Sequence, residues 1–331
     1  MNKQLQDKLT LFAGNAGAIK DDFIMREPAA KRLAALIYSL EGKEVDTAAI
    51  RDAYKMIKDE VGFFSQFRGN LAIYLAAALS LSEQPKQMLE DTLLVYDQLK
   101  SKGFWASDFL TASAYEIALN TKKEDHSRMV SRTREFYDEM KANHRFLIGS
   151  DDYIFAAMLA LSGMDPHQGA NKLKQLYQRA KAEFSFFISN SSLMALSQML
   201  VLGGSTEECV LNLLRLNRTL RNYKLRLDRG FTLPSLAVLG MLGADHSVLA
   251  EDIVNSRDFL RSKKGLGHFS VTTQELLLYV VSLITYTYAD DIKNDIMKAN
   301  ITTSVTNLII AQQAAMIAAI SASSAAAAAS S

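Results

Sequence analysis

Apolar and polar positions along the chain fall into two alternating kinds of segment. One kind is apolar almost throughout: RLAALIYSL from Arg32, LAIYLAAALSLS from Leu71, LTASAYEIAL from Leu110, YIFAAMLALSG from Tyr153, SLMALSQMLVLGG from Ser192, PSLAVLGMLG from Pro234 and ELLLYVVSLITY from Glu275. The other kind is amphipathic, with apolar residues three and four apart, which is the helical period. Both are rich in Ala, Leu, Met, Lys, Glu and Gln, which form helices readily. Pro28, Pro85, Pro166 and Pro234 stand at or just before helix-like runs, where a missing N–H costs nothing. Alternating β-branched residues between Asn-Gly or Asp-Gly turns are nearly absent, so the pattern predicts an all-α protein.

The alternation is periodic. Tyr54 and Lys58, Tyr96 and Lys100, Tyr137 and Lys141, and Tyr177 and Lys181 recur at the ends of the amphipathic segments, followed by Arg221 and Arg261 without the tyrosine. The six basic residues are separated by 42, 41, 40, 40 and 40 residues. Such a period predicts tandem αα-hairpins of about forty residues, each an apolar helix A followed by an amphipathic helix B. Glycines such as Gly203, Gly204 and Gly243 suit a left-handed cap between A and B. Ser205 to Glu208 has the spacing of a capping box at the start of a helix B. A glycine or aromatic corner follows each B helix, as at Gly62-Phe63-Phe64, Gly103-Phe104-Trp105, Phe146 and Phe186-Phe187.

Helices apolar on all sides are expected inside and amphipathic ones outside. Two layers of antiparallel helices follow, either an open curved superhelix or a closed α/α toroid. The scarcity of polar positions in the A helices favours the closed or strongly curved form. Residues 1–27 are expected to cap the stack, 28–298 to form the repeat domain, and 299–331 to be an uncharged helix with an Ala/Ser-rich tail. Gln312 and Gln313 make the 301–320 run a poor membrane anchor, so a packed capping helix is expected there.

Composition narrows the setting more than the task. Lys and Arg number 37 against 36 Asp and Glu, which gives no general attraction to nucleic acid or anionic lipid. The single cysteine, Cys209, cannot form an internal disulfide, and the N-terminus lacks a signal-peptide pattern. A cytoplasmic protein is expected. Four segments resemble an uncharacterised bacterial family, a domain of unknown function found mainly in Gram-positive organisms. They are the Lys31–Tyr38 run, Phe67-Arg68-Gly69-Asn70 with the residues after it, Gly103-Phe104, and the alanine-rich C-terminal segment. The resemblance implies a bacterial cytoplasmic protein and carries no activity or functional residue with it.

Several residues are candidates for chemistry. Asp290, Asp291 and Asp295 superficially match aspartate-rich magnesium motifs, but Lys293 interrupts them and no partner motif exists; a solvated helix start is expected. His126, His144, His167, His246 and His268 lack the spacing that brings two imidazoles to one metal, and are expected at the surface. No metal or cofactor is expected. Cys209 is expected as a small core residue. Arg215, Arg218 and Arg221 share one helix face and could bind an acidic partner, RNA or a phosphate ligand, but the basic stretch does not extend to neighbouring hairpins and a solvated outer face is expected.

Glu116 is placed inside an apolar helix, where a carboxylate must find a partner or stay protonated. With Asp151 it is the first suspect for catalysis. A polar cluster precedes each A helix: Arg68 and Asn70, Asp108, Asp151 and Asp152, Asn190, Asp228 and Arg229, then His268 and Gln274. These residues suit helix caps, and they also mark where a ligand would sit. The expected role is a non-enzymatic helical-repeat protein binding a protein or peptide. The alternative is a toroidal enzyme acting on an apolar or glycosidic substrate.

Overall fold

The computed structural model describes residues 2–23, 26–63, 65–69, 71–184 and 188–294. They form fourteen α-helices: α1 (Lys3–Ile19), α2 (Pro28–Leu40), α3 (Thr47–Glu60), α4 (Ala72–Ser80), α5 (Pro85–Ser101), α6 (Asp108–Asn120), α7 (His126–Asn143), α8 (Tyr153–Leu161), α9 (Pro166–Glu183), α10 (Asn190–Leu202), α11 (Glu207–Asn222), α12 (Pro234–Met241), α13 (His246–Arg261) and α14 (Thr273–Asn294). No strand occurs among the described residues, so the protein is all-α. Each of the four prolines is the first residue of its helix.

Two kinds of helix are present. Every residue of α4 from Ala72 to Leu79 is buried, and so is every residue of α8 from Tyr153 to Ala160. Such nine-residue helices are too short to persist alone and depend on packing on all sides. By contrast, α3 buries only Ile50, Ala53 and Ile57, one stripe at helical spacing. Truncating a fully buried Leu33 or Leu236 to alanine is expected to cost about 2–5 kcal/mol.

The described chain divides into two compact units. One comprises residues 11–138 and 148–163; the other comprises 2–10, 139–147 and 164–294. In the first unit α2 packs on α4, α6 packs on α8, and the Tyr74 and Tyr115 rings meet edge-on at 6.3 Å between α4 and α6. The buried Asn15 of α1 bonds Ser39 Oγ, the Lys43 carbonyl and the Val45 N–H, which uses both ends of its amide. In the second unit the buried helices α10, α12 and α14 pack in succession, as do the amphipathic α9, α11 and α13. There Lys8 of α1 lies over the Tyr286 ring of α14 at 4.5 Å.

The recurring tyrosine–lysine pair has a physical cause. Lys58, Lys100 and Lys181 each lie 5.6–5.9 Å from the ring of the tyrosine one turn earlier. Each contact contributes about 0.5–1 kcal/mol at an exposed site. Three of the four recurring tyrosines receive a group from the preceding corner: Phe67 meets Tyr96 at 4.9 Å, Phe104 meets Tyr137 at 5.4 Å, and His144 meets Tyr177 at 5.0 Å.

Four local expectations are corrected. Ser205 is buried and its N–H bonds the Leu200 carbonyl, so it closes α10 instead of capping α11. Thr206 becomes the N-cap of α11, without a side-chain capping bond. Asp290 and Asp291 lie near the C-terminal end of α14, not at a helix start; Asp295 lies outside the described residues. His126 is buried, and His144 is half-buried against Tyr177, so neither is a surface histidine. Cys209 is half-buried at the start of α11 instead of in the core. The segment 299–331 and the Phe186-Phe187 corner also lie outside the described residues.

Candidate functional site

The polar residues before the buried helices take up separate duties. Arg68 sits in the 3-10 turn Gln66–Arg68 and donates to the Val61 and Lys58 carbonyls, which caps the end of α3. The Arg68 and Gly69 carbonyls in turn accept from Arg26. Asp108 is the first residue of α6, and its Oδ1 would lie 2.8 Å from a Cβ placed on Gly69, so the two corners are in close contact. Asp152 is buried and its Oδ2 accepts from the Gly149 N–H at 2.7 Å, while Asp151 is exposed. In the second unit Asn190, Arg229 and His268 are exposed; Ser189, not Asn190, caps α10. Asn70 lies outside the described residues.

Glu116 is buried within α6, only 1% exposed. Burial pushes its carboxyl up to about 7, against hydrogen bonds from Asn120 and Tyr74 that act in the opposite direction. Asn120 Nδ2 reaches Oε2 at 3.3 Å, and Oε1 has no hydrogen-bond partner among the described residues. The Tyr74 and Tyr115 hydroxyls are raised above their ordinary value, first by burial and then by Glu116. Glu116 is eight residues along α6 from Asp108, or about 12 Å at the helical rise. It therefore sits deep, not at the helix start with the polar cluster. A carboxyl of this kind can hold a proton near neutral pH.

The corners after the amphipathic helices carry a feature that sequence reasoning missed. Beside the buried Phe67 and Phe104, two aromatic side chains face solvent in the first unit: Phe63, 76% exposed, and Trp105, 80% exposed. In the second unit Phe146 and Phe269 are exposed at equivalent corners. Phe63, Trp105 and Phe146 each follow the recurring lysine by five residues, at Lys58, Lys100 and Lys141. That offset was the available signal, but periodicity alone does not tell which ring of a corner points outward.

Arg215 and Arg218 are exposed on α11. Arg221 and Arg226 share Asp228, whose side chain is 1% exposed. Burial would raise that carboxyl, but the two guanidinium groups outweigh it and hold it below the ordinary carboxylate range. Arg261, the last residue of α13, bonds the Leu266 and Val271 carbonyls and so ties down the loop before α14. Two surface hollows are also present. One, of about 510 Å³, lies among Asn120, Lys122, Arg128 and Gly163; the other, of about 710 Å³, lies between α9 and the start of α11. Neither is lined by Glu116.

Among the described residues, no three His, Cys, Asp or Glu side chains are grouped to hold a metal ion. No helix of the described residues is long and apolar enough to cross a membrane. No curated protein and no solved structure matches the chain. A family profile does match, over residues 17–314, and on that extent the chain belongs to the family described as protein of unknown function (DUF4003).

Proposed function

We propose that this protein is a non-enzymatic helical-repeat protein that binds a protein or peptide partner through the corners following its amphipathic helices. The observation that carries the reading is the exposure of Phe63 and Trp105 at neighbouring corners of one unit. Single exposed apolar residues are ordinary, but bulky rings at corresponding positions of successive hairpins form a recurring contact feature. Aromatic side chains supply large contact area at low entropic cost, and they anchor protein interfaces. The tandem hairpin repeat, in the curved superhelix or toroid such repeats build, belongs to this proposal, as does a cytoplasmic setting.

A photo-crosslinking amino acid at position 105 tests the reading. A discrete polypeptide joined to the protein in its own host, and lost when Phe63 is changed to alanine, supports it. Absence of any such product sinks it.

One observation favours a second reading. The raised carboxyl of Glu116 suits a general acid, as in a toroidal enzyme acting on an apolar or glycosidic substrate. Asp151 would be its first candidate partner. Glu116→Gln should abolish turnover in that case and leave partner binding intact in the first.

A further inference from the structure

The second unit gathers cations that the sequence leaves apart. Residues 215–229 carry six Lys and Arg against Asp228, and residues 257–268 carry four against Asp258. The structure packs α11 beside α13, and the 3-10 turn Gly230–Thr232 against α14. Tyr223, just after α11, bonds Glu251 of α13 at 3.2 Å. The two basic stretches thus belong to adjoining hairpins, which corrects the expectation that the patch stops at one.

Some of these cations are already engaged. Arg221 and Arg226 are held by Asp228, Arg257 by Asp258, and Arg261 by backbone carbonyls. Arg215, Arg218, Lys224, Arg229 and Lys264 are exposed, and none has a carboxylate partner among the described residues. Lys224 adds an independent sign. It adopts a left-handed backbone, φ +59°, at a position that the equivalent corner after α5 fills with Gly103. A non-glycine residue there is strained, and the strain persists although glycine would relieve it.

We propose that this face of the second unit binds an acidic polypeptide segment that also carries aliphatic side chains. The inference rests on the reading of the protein as a partner-binding scaffold. Charge complementarity sets the sign of the occupant. An apolar neighbour sets its class: Leu211, 41% exposed, lies one turn before Arg215 and on the same face as Arg218. A phosphate backbone gains nothing from branched aliphatic contacts.

The test titrates the full-length protein into a fluorescein-labelled peptide alternating glutamate and leucine. Polyuridylate and phosphatidylglycerol vesicles serve as competing probes. The peptide should bind best, with affinity falling as salt rises. The triple variant Arg218→Glu, Arg229→Glu, Lys264→Glu should bind about tenfold more weakly or worse. Lys224→Gly should also weaken binding while leaving the fold intact. Equal binding by the triple variant, or tighter binding of polyuridylate or vesicles, would overturn the proposal. Position-105 crosslinks that persist without peptide binding would sink this surface alone. Peptide binding without those crosslinks would sink the corner surface instead.

Discussion

Asn120, exposed at the end of α6, donates its side-chain amide to Glu116 Oε2 at 3.3 Å, one helical turn back. It thereby links a solvent-facing residue to the most deeply buried carboxyl that sequence reasoning singled out. Burial of that carboxyl, which the Asn120 bond only partly offsets, has a consequence for pH. The folded-state carboxyl titrates near 7 and its ordinary value is 4.5. Stability from the protonated form is therefore complete below about pH 4.5 and is lost as pH rises through about 7.

The expected loss is about 3 kcal/mol, at roughly 1.4 kcal/mol per pH unit. Glu116→Gln keeps the shape and removes the charge, so urea unfolding followed by circular dichroism should show it more stable than the parent at pH 8. At pH 4 the two should be nearly equal. A variant that is less stable at both values would mean that the carboxylate is ionised and well paired.

Lys224→Gly should raise stability by no more than about 1 kcal/mol, since the roughly 1–2 kcal/mol of left-handed strain it relieves is partly offset in the unfolded chain. Glycine takes the left-handed conformation without strain, although it also loosens the unfolded chain. Thermal unfolding measures this directly. A loss of stability would show that the lysine side chain contributes packing that outweighs its backbone strain.

Asp228→Asn should destabilise the protein by about 1–3 kcal/mol. It removes the carboxylate that Arg221 and Arg226 share, and leaves an amide that cannot neutralise either. The carboxyl is held low in the folded state, so its contribution is present above its ordinary value of 3.8 and is lost as pH falls through the depressed one. The parent and the variant should converge in strong acid. The two arginines are nearly half exposed, which places the expected cost toward the lower end of the range.

Trp105→Ala should change stability by no more than about 0.5 kcal/mol, since the ring is 80% exposed. Trp105 is the only tryptophan, so the parent's fluorescence reports this one corner. In the free protein the indole should be open to an aqueous quencher, and partner binding should protect it. A large loss of stability would instead make the ring part of the fold.

The helical class was legible because Pro28, Pro85, Pro166 and Pro234 open helices and the apolar runs between them keep one period. Glu116 was legible as a buried carboxyl because the run from Leu110 to Leu119 around it is otherwise apolar or small. Its partner Asn120 was not, because the pair needs the side-chain directions of a real helix and not only its spacing. Arg68 and Asp152 looked like members of a polar mouth. The carbonyl and N–H groups they serve are backbone atoms, which leave no mark in a sequence. Ser205 misled because a serine before two glutamates can close one helix as well as open the next. The basic face of the second unit was half visible in Arg215, Arg218 and Arg221; its extension to Lys264 depended on which hairpins adjoin.

The most direct test of a partner-binding scaffold is a native mass spectrum of the protein purified gently from its own host, with the Phe63→Ala, Trp105→Ala variant beside it. The account predicts a second polypeptide in stoichiometric amount with the parent, lost from the variant. A retained small molecule and no polypeptide, unchanged in the variant, would contradict it and favour the enzyme built around Glu116.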